Sequence, residues 1–154
     1  MSTIEESIEI EVPVRTAYNQ WTQFEEFPEF MEGVESITQL DDKRLRWAAE
    51  LGGACREWEA EITEQIPDER IAWAAKEGET HAGVVTFHYL DDNHCKVMLQ
   101  MEFDPKDFTE KAADTLGIVR RRVTGDLERF KKFVESRGQE SGAWRGEIKQ
   151  RKTG

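Results

Sequence analysis

The chain changes its apolar periodicity once, and that change limits the folds open to it. Up to Phe103 apolar residues recur at every second position in short runs, and after Pro105 they recur at every third or fourth. The first pattern belongs to half-buried strands and the second to an amphipathic helix. In residues 4–12, Ile8, Ile10 and Val12 alternate with Ser7, Glu9 and Glu11, which reads as a strand. Pro13 then opens a short helix, where a missing N–H is tolerated, with Val14, Tyr18 and Trp21 on one side. A second helical turn is expected around Phe24, Phe27, Phe30 and Met31, interrupted by Pro28. From Val34 to Phe103 the chain reads as strands separated by the turn signals Asp41-Asp42, Gly52-Gly53, Pro67-Asp68, Glu77-Gly78 and Asp92-Asn93. Finally Phe108, Ala112, Leu116, Val119, Val123, Leu127, Phe130 and Val134 form one stripe, the face of a single long helix. Asp107 and Glu110 cap its start and Gly138 stops it.

Three turns predict a register. A two-residue loop at Gly52-Gly53 pairs Trp47 with Trp58, Ala49 with Arg56 and Leu45 with Ala60 on one face. The other face then sets Arg46 against Glu59 and Arg44 against Glu61. A hairpin at Pro67-Asp68 brings Ile62 to Trp73, Ala60 to Ala75 and Glu59 to Lys76. A three-residue loop at Asp92–His94 pairs Tyr89 with Val97, Phe87 with Leu99 and Val85 with Met101. Each hairpin acquires one apolar and one polar face, and the charged face forms a solvated ion-pair ladder worth about 0.2–1 kcal/mol per pair.

At 154 residues the chain matches one domain, within the usual span of roughly 100–200. Eight Phe and five Trp argue against disorder. The net charge is −11, divided unevenly: residues 1–104 carry 24 acidic and 8 basic groups, and the remainder 8 acidic and 13 basic. Such an acidic chain is a poor partner for nucleic acid or anionic lipid. The basic C-terminal part is read as a helix lying on an acidic body, because Arg120, Arg121 and Arg122 interleave with the apolar stripe. No run approaches the roughly 20 apolar residues of a membrane span, and the first residues lack a signal pattern. A soluble, cytoplasmic protein is expected. Cys55 and Cys95 are too few for a disulfide framework, and His81, His88 and His94 lack metal-ligand spacing. No phosphate loop or nucleophile elbow occurs, so no metal, cofactor or catalytic residue is assigned.

Several stretches together carry a family resemblance: Ser7-Ile8-Glu9-Ile10 running into Val12-Pro13, Tyr18-Asn19-Gln20-Trp21, Phe24 to Met31, Arg56-Glu57-Trp58, Arg70-Ile71-Ala72-Trp73, the Gly83-to-Phe87 strand and the Phe103-Asp104-Pro105 exit into the helix. In this order they resemble the START and birch-pollen-allergen superfamily (SRPBCC), in its bacterial polyketide cyclase/dehydrase and lipid-transport branch. The resemblance implies an α+β helix-grip fold: a seven-stranded antiparallel sheet wrapped around a long C-terminal helix, with two short helices between strands 1 and 2 and an apolar cavity inside. It covers residues 3 to about 138, giving a domain over 1–138 and a tail over 139–154. The tail, Gly142 to Ile148, is similar to the ending of stand-alone bacterial members. Members bind lipids, sterols, quinones, polyketides or plant hormones, and a few catalyse cyclisation or dehydration.

Function must still be argued from the site. Most inward residues serve as core, yet three tryptophans on one concave face suit a pocket for an apolar ligand. The candidate lining is Phe30, Met31, Trp47, Arg56, Trp58, Trp73, Phe87, Tyr89, Leu99, Met101, Leu116 and Val119, with Phe30 and Met31 near the entrance. Arg56 shares the parity of Trp58. It points inward to an internal carboxylate or a ligand oxygen, or a bulge after Gly53 turns it to solvent. Three functions fit: binding of an aromatic or polycyclic small molecule, an aromatase/cyclase using Tyr89 or Arg56 with Glu64 at one rim, or a partner-binding scaffold with a vestigial cavity. Among the tail's apolar residues, Trp144 and Ile148, Trp144 is expected to dock on the domain surface or on a neighbouring chain, the latter as a homodimer, with a frayed tail as the rival.

Overall fold

The computed structural model describes residues 2–31, 34–51, 54–75, 81–103, 112–137, 141–146 and 148. Strand β1 (Ser2–Ile10) leads into helix α1 (Val14–Trp21) and a 3-10 helix (Phe24–Glu29). Six strands follow: β2 (Val34–Gln39), β3 (Arg44–Leu51), β4 (Ala54–Ile66), β5 (Arg70–Ala75), β6 (His81–Asp91) and β7 (His94–Phe103). Helix α2 (Ala112–Arg137) comes last. The strands form one antiparallel sheet in the order β1-β7-β6-β5-β4-β3-β2, so the first strand returns beside the last. This is the helix-grip α+β architecture. The expected helix start at Phe108, its Asp107–Glu110 cap and the Gly138 stop lie outside the described residues.

Local chemistry explains the elements. Pro13 holds φ −58° and ψ 148°, outside the helix, while its carbonyl accepts from the N–H groups of Thr16 and Ala17. Thr22 closes α1 by donating from its hydroxyl to the Asn19 carbonyl at 2.6 Å. In α2 the inward stripe Val119, Val123, Leu127, Phe130 and Val134 is buried at the three- and four-residue spacing of a helix face. Arg129 Nε donates to the Phe30 carbonyl at 2.9 Å and ties α2 to the residue following the 3-10 helix.

The β3–β4 register is as expected throughout, with Trp47 opposite Trp58, Leu45 opposite Ala60 and Ala49 opposite Arg56. On the charged face diagonal pairs form: Arg44 Nη1 lies 3.7 Å from Glu59 and Arg46 Nη2 lies 3.6 Å from Glu57. Long side chains on a twisted sheet reach a diagonal neighbour as readily as a direct one. Lys76 lies outside the described residues.

Two other hairpins depart from expectation. The β4–β5 turn takes three residues, Pro67 to Glu69, with Asp68 at φ 63°. A bulge between Ile62 and Glu64 absorbs the extra residue, so Ile62 still meets Trp73 and Ala60 still meets Ala75. Between turn and bulge the faces are exchanged. Gln65 points inward and is buried, while Glu64 pairs outside with Arg70 at 3.0 Å, so Glu64 is not a rim residue of the interior. The β6–β7 turn is two residues long, closed by Asp91 opposite His94, with an irregularity between Tyr89 and Asp91. Phe87 therefore meets Val97, not Leu99, and Val85 meets Leu99, not Met101. The displacement is two residues, so these side chains keep their faces.

Candidate functional site

The concave face has two unlike ends. The β2–β3, β4–β5 and β6–β7 turns lie at one end with the start of α1, and the C-terminal half of α2 packs there. Lys131 Nζ donates to the Glu9 carbonyl at 3.0 Å, and Glu135 accepts from the Glu11 N–H at 2.8 Å. This end is filled by rings. Trp21 meets Phe130 edge-on at 5.0 Å, Phe30 meets Phe130 at 5.1 Å, and Tyr18 meets Phe87 at 5.3 Å. Phe30, Met31, Phe87 and Leu99 are buried. Phe30 packs against Phe130 and Phe133 of α2, and the Met31 carbonyl accepts from the N–H of Val34, whose strand partner is Ala49.

Tyr89 also departs from expectation. It stands opposite Cys95, yet it is 62% exposed and its hydroxyl donates to Asp92 at 2.6 Å. It sits beyond the helical cover, on a stretch of β6 whose bulge increases the local twist. It is not part of an inner wall.

Toward the β3–β4 connection and the N-terminal half of α2, Trp58 and Trp73 are covered less completely. Trp47 is 9% exposed, and its ring lies parallel to that of Trp58, with centroids 5.9 Å apart and planes 7° from parallel. Trp58, Trp73 and Met101 are half-buried on this inward face. One transverse row runs Ile62, Trp73, Gly83, Met101 and Ile4 across five strands. Val119 and Val123 of α2 are buried above the sheet. The Arg56 backbone pairs with Ala49, and Leu116 belongs to α2, but both side chains lie outside the described residues. The structure therefore brings Trp47, Trp58, Trp73, Met101 and Val119 together on the inward face, and buries Phe30, Met31, Phe87 and Leu99 in the core beside them, with Phe27 meeting Trp47 edge-on at 6.0 Å.

Titratable chemistry is concentrated away from this aromatic end. Cys95 is buried, and burial pushes its thiol up to about 11, so at neutral pH it is not a nucleophile. Burial likewise raises the Tyr18 phenol, while Gln65 Nε2 donates to its oxygen at 3.1 Å. His94 bonds to Asp91, and His88 to Thr86, both on the outside. Among the described residues no three His, Cys, Asp or Glu side chains come together in a metal-binding group.

The tail is the feature that sequence reasoning resolved least. Residues 141–146 and Ile148 run back across α1 at the filled end. The Ser141 N–H donates to Gln20 Oε1 at 3.0 Å, the Trp144 N–H to Thr22 Oγ1 at 3.0 Å, and Arg145 to Asn19 at 2.5 Å and Asp68 at 2.7 Å. Ile148 is buried and exchanges both backbone bonds with Gln65. Docking within the chain is thus the outcome for Trp144 and Ile148. The inward turn of Gln65 was hidden because a bulge leaves no mark on alternation.

A concave antiparallel sheet closed over one long helix, with an aromatic, largely apolar interior, defines a START-like helix-grip protein. A family model described as "Polyketide cyclase / dehydrase and lipid transport" matches residues 10–132, and the chain belongs to that family. A protein of Streptomyces lincolnensis, described as an uncharacterized 17.2 kDa protein in the melC2-rnhH intergenic region, is 62% identical over 149 residues, which cover 96% of this chain and 99% of that one. The ZhuI aromatase/cyclase of Streptomyces sp. R1128 is similar in fold, with a TM-score of 0.75 at 15% identity, covering 93% of this chain and 99% of that one. A START superfamily protein of Mycobacterium smegmatis gives a TM-score of 0.67 at 13% identity, covering 88% and 95%.

Proposed function

We propose that this protein binds an apolar small molecule, aromatic or polycyclic, between α2 and the end of the sheet that carries Trp47, Trp58, Trp73 and Met101. The observation that supports it is a contrast in cover: Trp21, Phe27, Phe30 and Phe130 interlock and are buried, while Trp58 and Trp73 remain half-buried on the inward face. A protein needing only a core would bury them as completely as Trp21. Ligand burial at about 25 cal/mol per Å² of apolar surface would supply most of the affinity.

Titrating the protein with flavonoids, quinones and aromatic polyketides should change its tryptophan emission. Trp58→Ala should weaken binding about tenfold, which corresponds to roughly 1.4 kcal/mol. Arg56→Ala should weaken only ligands bearing a carbonyl or carboxylate, through loss of a charge-assisted bond worth about 1.5–3 kcal/mol. A flat titration across the panel, with nothing co-purifying in native mass spectrometry of protein from its own host, removes the proposal.

Family membership and the fold shared with ZhuI favour a second reading, an aromatase/cyclase acting on a poly-β-ketone. That chemistry requires a proton donor or acceptor within reach of the substrate. Among the described side chains at the aromatic end the inward positions are Trp47, Trp58, Trp73 and Met101, none of which transfers protons at neutral pH. Turnover of a poly-β-ketone mimic that disappears in Arg56→Ala would establish catalysis over binding.

A further inference from the structure

Trp73 of β5 stands directly opposite Gly83 of β6 on the inward face. A Cβ on Gly83 would lie 2.4 Å from Trp73 Cζ2, 2.7 Å from Cε2 and 3.1 Å from Cη2. The six-membered ring of the indole therefore occupies the space a side chain at position 83 would need. Gly83 is an ordinary strand residue outside the left-handed region, so its backbone does not call for glycine. The requirement is spatial. Nearby, Ala60 and Ala75 face each other across β4 and β5, so the inward floor between Trp58 and Trp73 is also made of small residues. On its far side the Trp47 and Trp58 rings run parallel, 7° apart in plane.

Resting on the binding reading above, we propose that Gly83 sets the shape of the site. By lacking a side chain it lets the Trp73 indole lie down across β6, and it selects planar fused-ring ligands over flexible acyl chains. A ring laid over the sheet presents its other face to the interior, and ring faces reward a partner that stacks on them. A flexible chain gains nothing from ring orientation and loses rotamer freedom when held. A methyl at position 83 would lift the indole into the ligand's volume, and a packed interior does not absorb such a change freely.

An aromatic ring over a glycine also stabilises a sheet. That role alone would weaken every ligand equally, so the test separates the two. Full-length wild type, Gly83→Ala, Trp73→Phe and the double variant are compared by near-ultraviolet circular dichroism. Calorimetric titration then uses a hydroxylated anthraquinone, a single-ring benzoquinone and a fatty acid of equal carbon number to the anthraquinone. We expect Gly83→Ala to alter the near-ultraviolet spectrum, and the alteration to vanish in the Trp73→Phe background. Gly83→Ala should weaken the anthraquinone about tenfold and the benzoquinone less than about twofold, and wild type should prefer the anthraquinone to the fatty acid. An unchanged spectrum, equal losses for both quinones, or a fatty acid bound as tightly as the anthraquinone overturns the inference. If wild type takes up none of the three while the spectral result holds, the binding reading falls and Gly83 keeps only its contact with Trp73. Should Gly83→Ala alone fail to fold, the double variant, whose smaller ring leaves room for the methyl, is compared with Trp73→Phe.

Discussion

Asp91 shows how much one carboxylate decides. Its Oδ1 accepts from the Asn93 N–H at 2.8 Å and lies 2.8 Å from His94 Nδ1, which makes the β6–β7 turn two residues long. That choice displaces the neighbouring register by two and leaves Tyr89 outside the helical cover. In the sequence, Asp92, Asn93 and His94 are equally good turn residues, and alternation does not reveal a side chain that caps a backbone N–H. The same pair gives a pH signature. The bond to Asp91 raises the His94 pKa, helped by the charges of Asp91, Glu11 and Glu9, and the bond to His94 lowers the Asp91 pKa, helped by the Asn93 N–H. A raised histidine stabilises fully below its unfolded value of 6.5 and loses this as pH rises through its folded value. A lowered aspartate stabilises fully above its unfolded value of 3.8 and loses this as pH falls through its folded value. The pair therefore contributes fully between those two unfolded values. In an NMR titration Asp91→Asn should return His94 toward its ordinary pKa, and an unmoved His94 would refute the pairing.

Among the elements, helix α1 and the tail form one unit. The outer side of α1 carries Asn19 and Gln20, with Thr22 at its end. All three are buried, although such residues prefer water. They are covered because the tail brings matching groups: Ser141 and the Trp144 N–H for Gln20 and Thr22, and Arg145 for Asn19. Arg145 also lies 5.4 Å from the centroid of the Tyr18 ring and reaches Asp68 on the β4–β5 turn. These charge-assisted bonds are partly exposed, so Arg145→Ala should cost about 1 kcal/mol, below the roughly 1.5–3 kcal/mol of sheltered bonds to charged groups. Truncation after Gln139 removes the Ile148 anchor as well and should lower Tm by several degrees, at about 2–4 °C per kcal/mol for a chain of this size. Because the tail grips the filled end, neither change should alter ligand affinity. An unchanged Tm in the truncated protein would mean the tail does not hold α1. How far the sequence could be read differs by element for a physical reason. Gly52-Gly53 admits few loops, so the β3–β4 pairing followed from it directly. At Pro67 two deviations, a longer turn and a bulge, cancel beyond Ile62 and conceal each other. The tail's partners lie on α1, the 3-10 helix, β4 and the β4–β5 turn, and no local pattern links Arg145 to Asn19 and Asp68.

Across the whole molecule, the closely packed rings and the tryptophans of the proposed site differ in how completely they are covered. Trp21, Phe27, Phe30 and Phe130 interlock at edge-on or tilted angles, and each ring is nearly inaccessible. Tertiary contacts across long sequence separations hold them in place: β1, α1, the 3-10 helix, the C-terminal half of α2 and the tail are tied together around them. Trp47, Trp58 and Trp73 are kept in place by the backbone pairing of their strands whether or not their rings are covered. The sequence showed that these tryptophans share a face, since parity alone decides that. It did not show which inward rings would be sealed, because that depends on where α2 lays Phe130 and Phe133 along the sheet. The difference has a measurable consequence. Phe130→Ala leaves a cavity among closely packed rings and should cost about 3–5 kcal/mol of unfolding free energy. Trp58→Ala removes a ring that is only partly buried and should cost less than that, while weakening binding of the proposed ligand. Chemical denaturation of both variants, paired with the flavonoid titration, tests the difference directly. If Trp58→Ala destabilises as much as Phe130→Ala, the tryptophans are core like the interlocked rings, and the contrast that supports a binding site is lost.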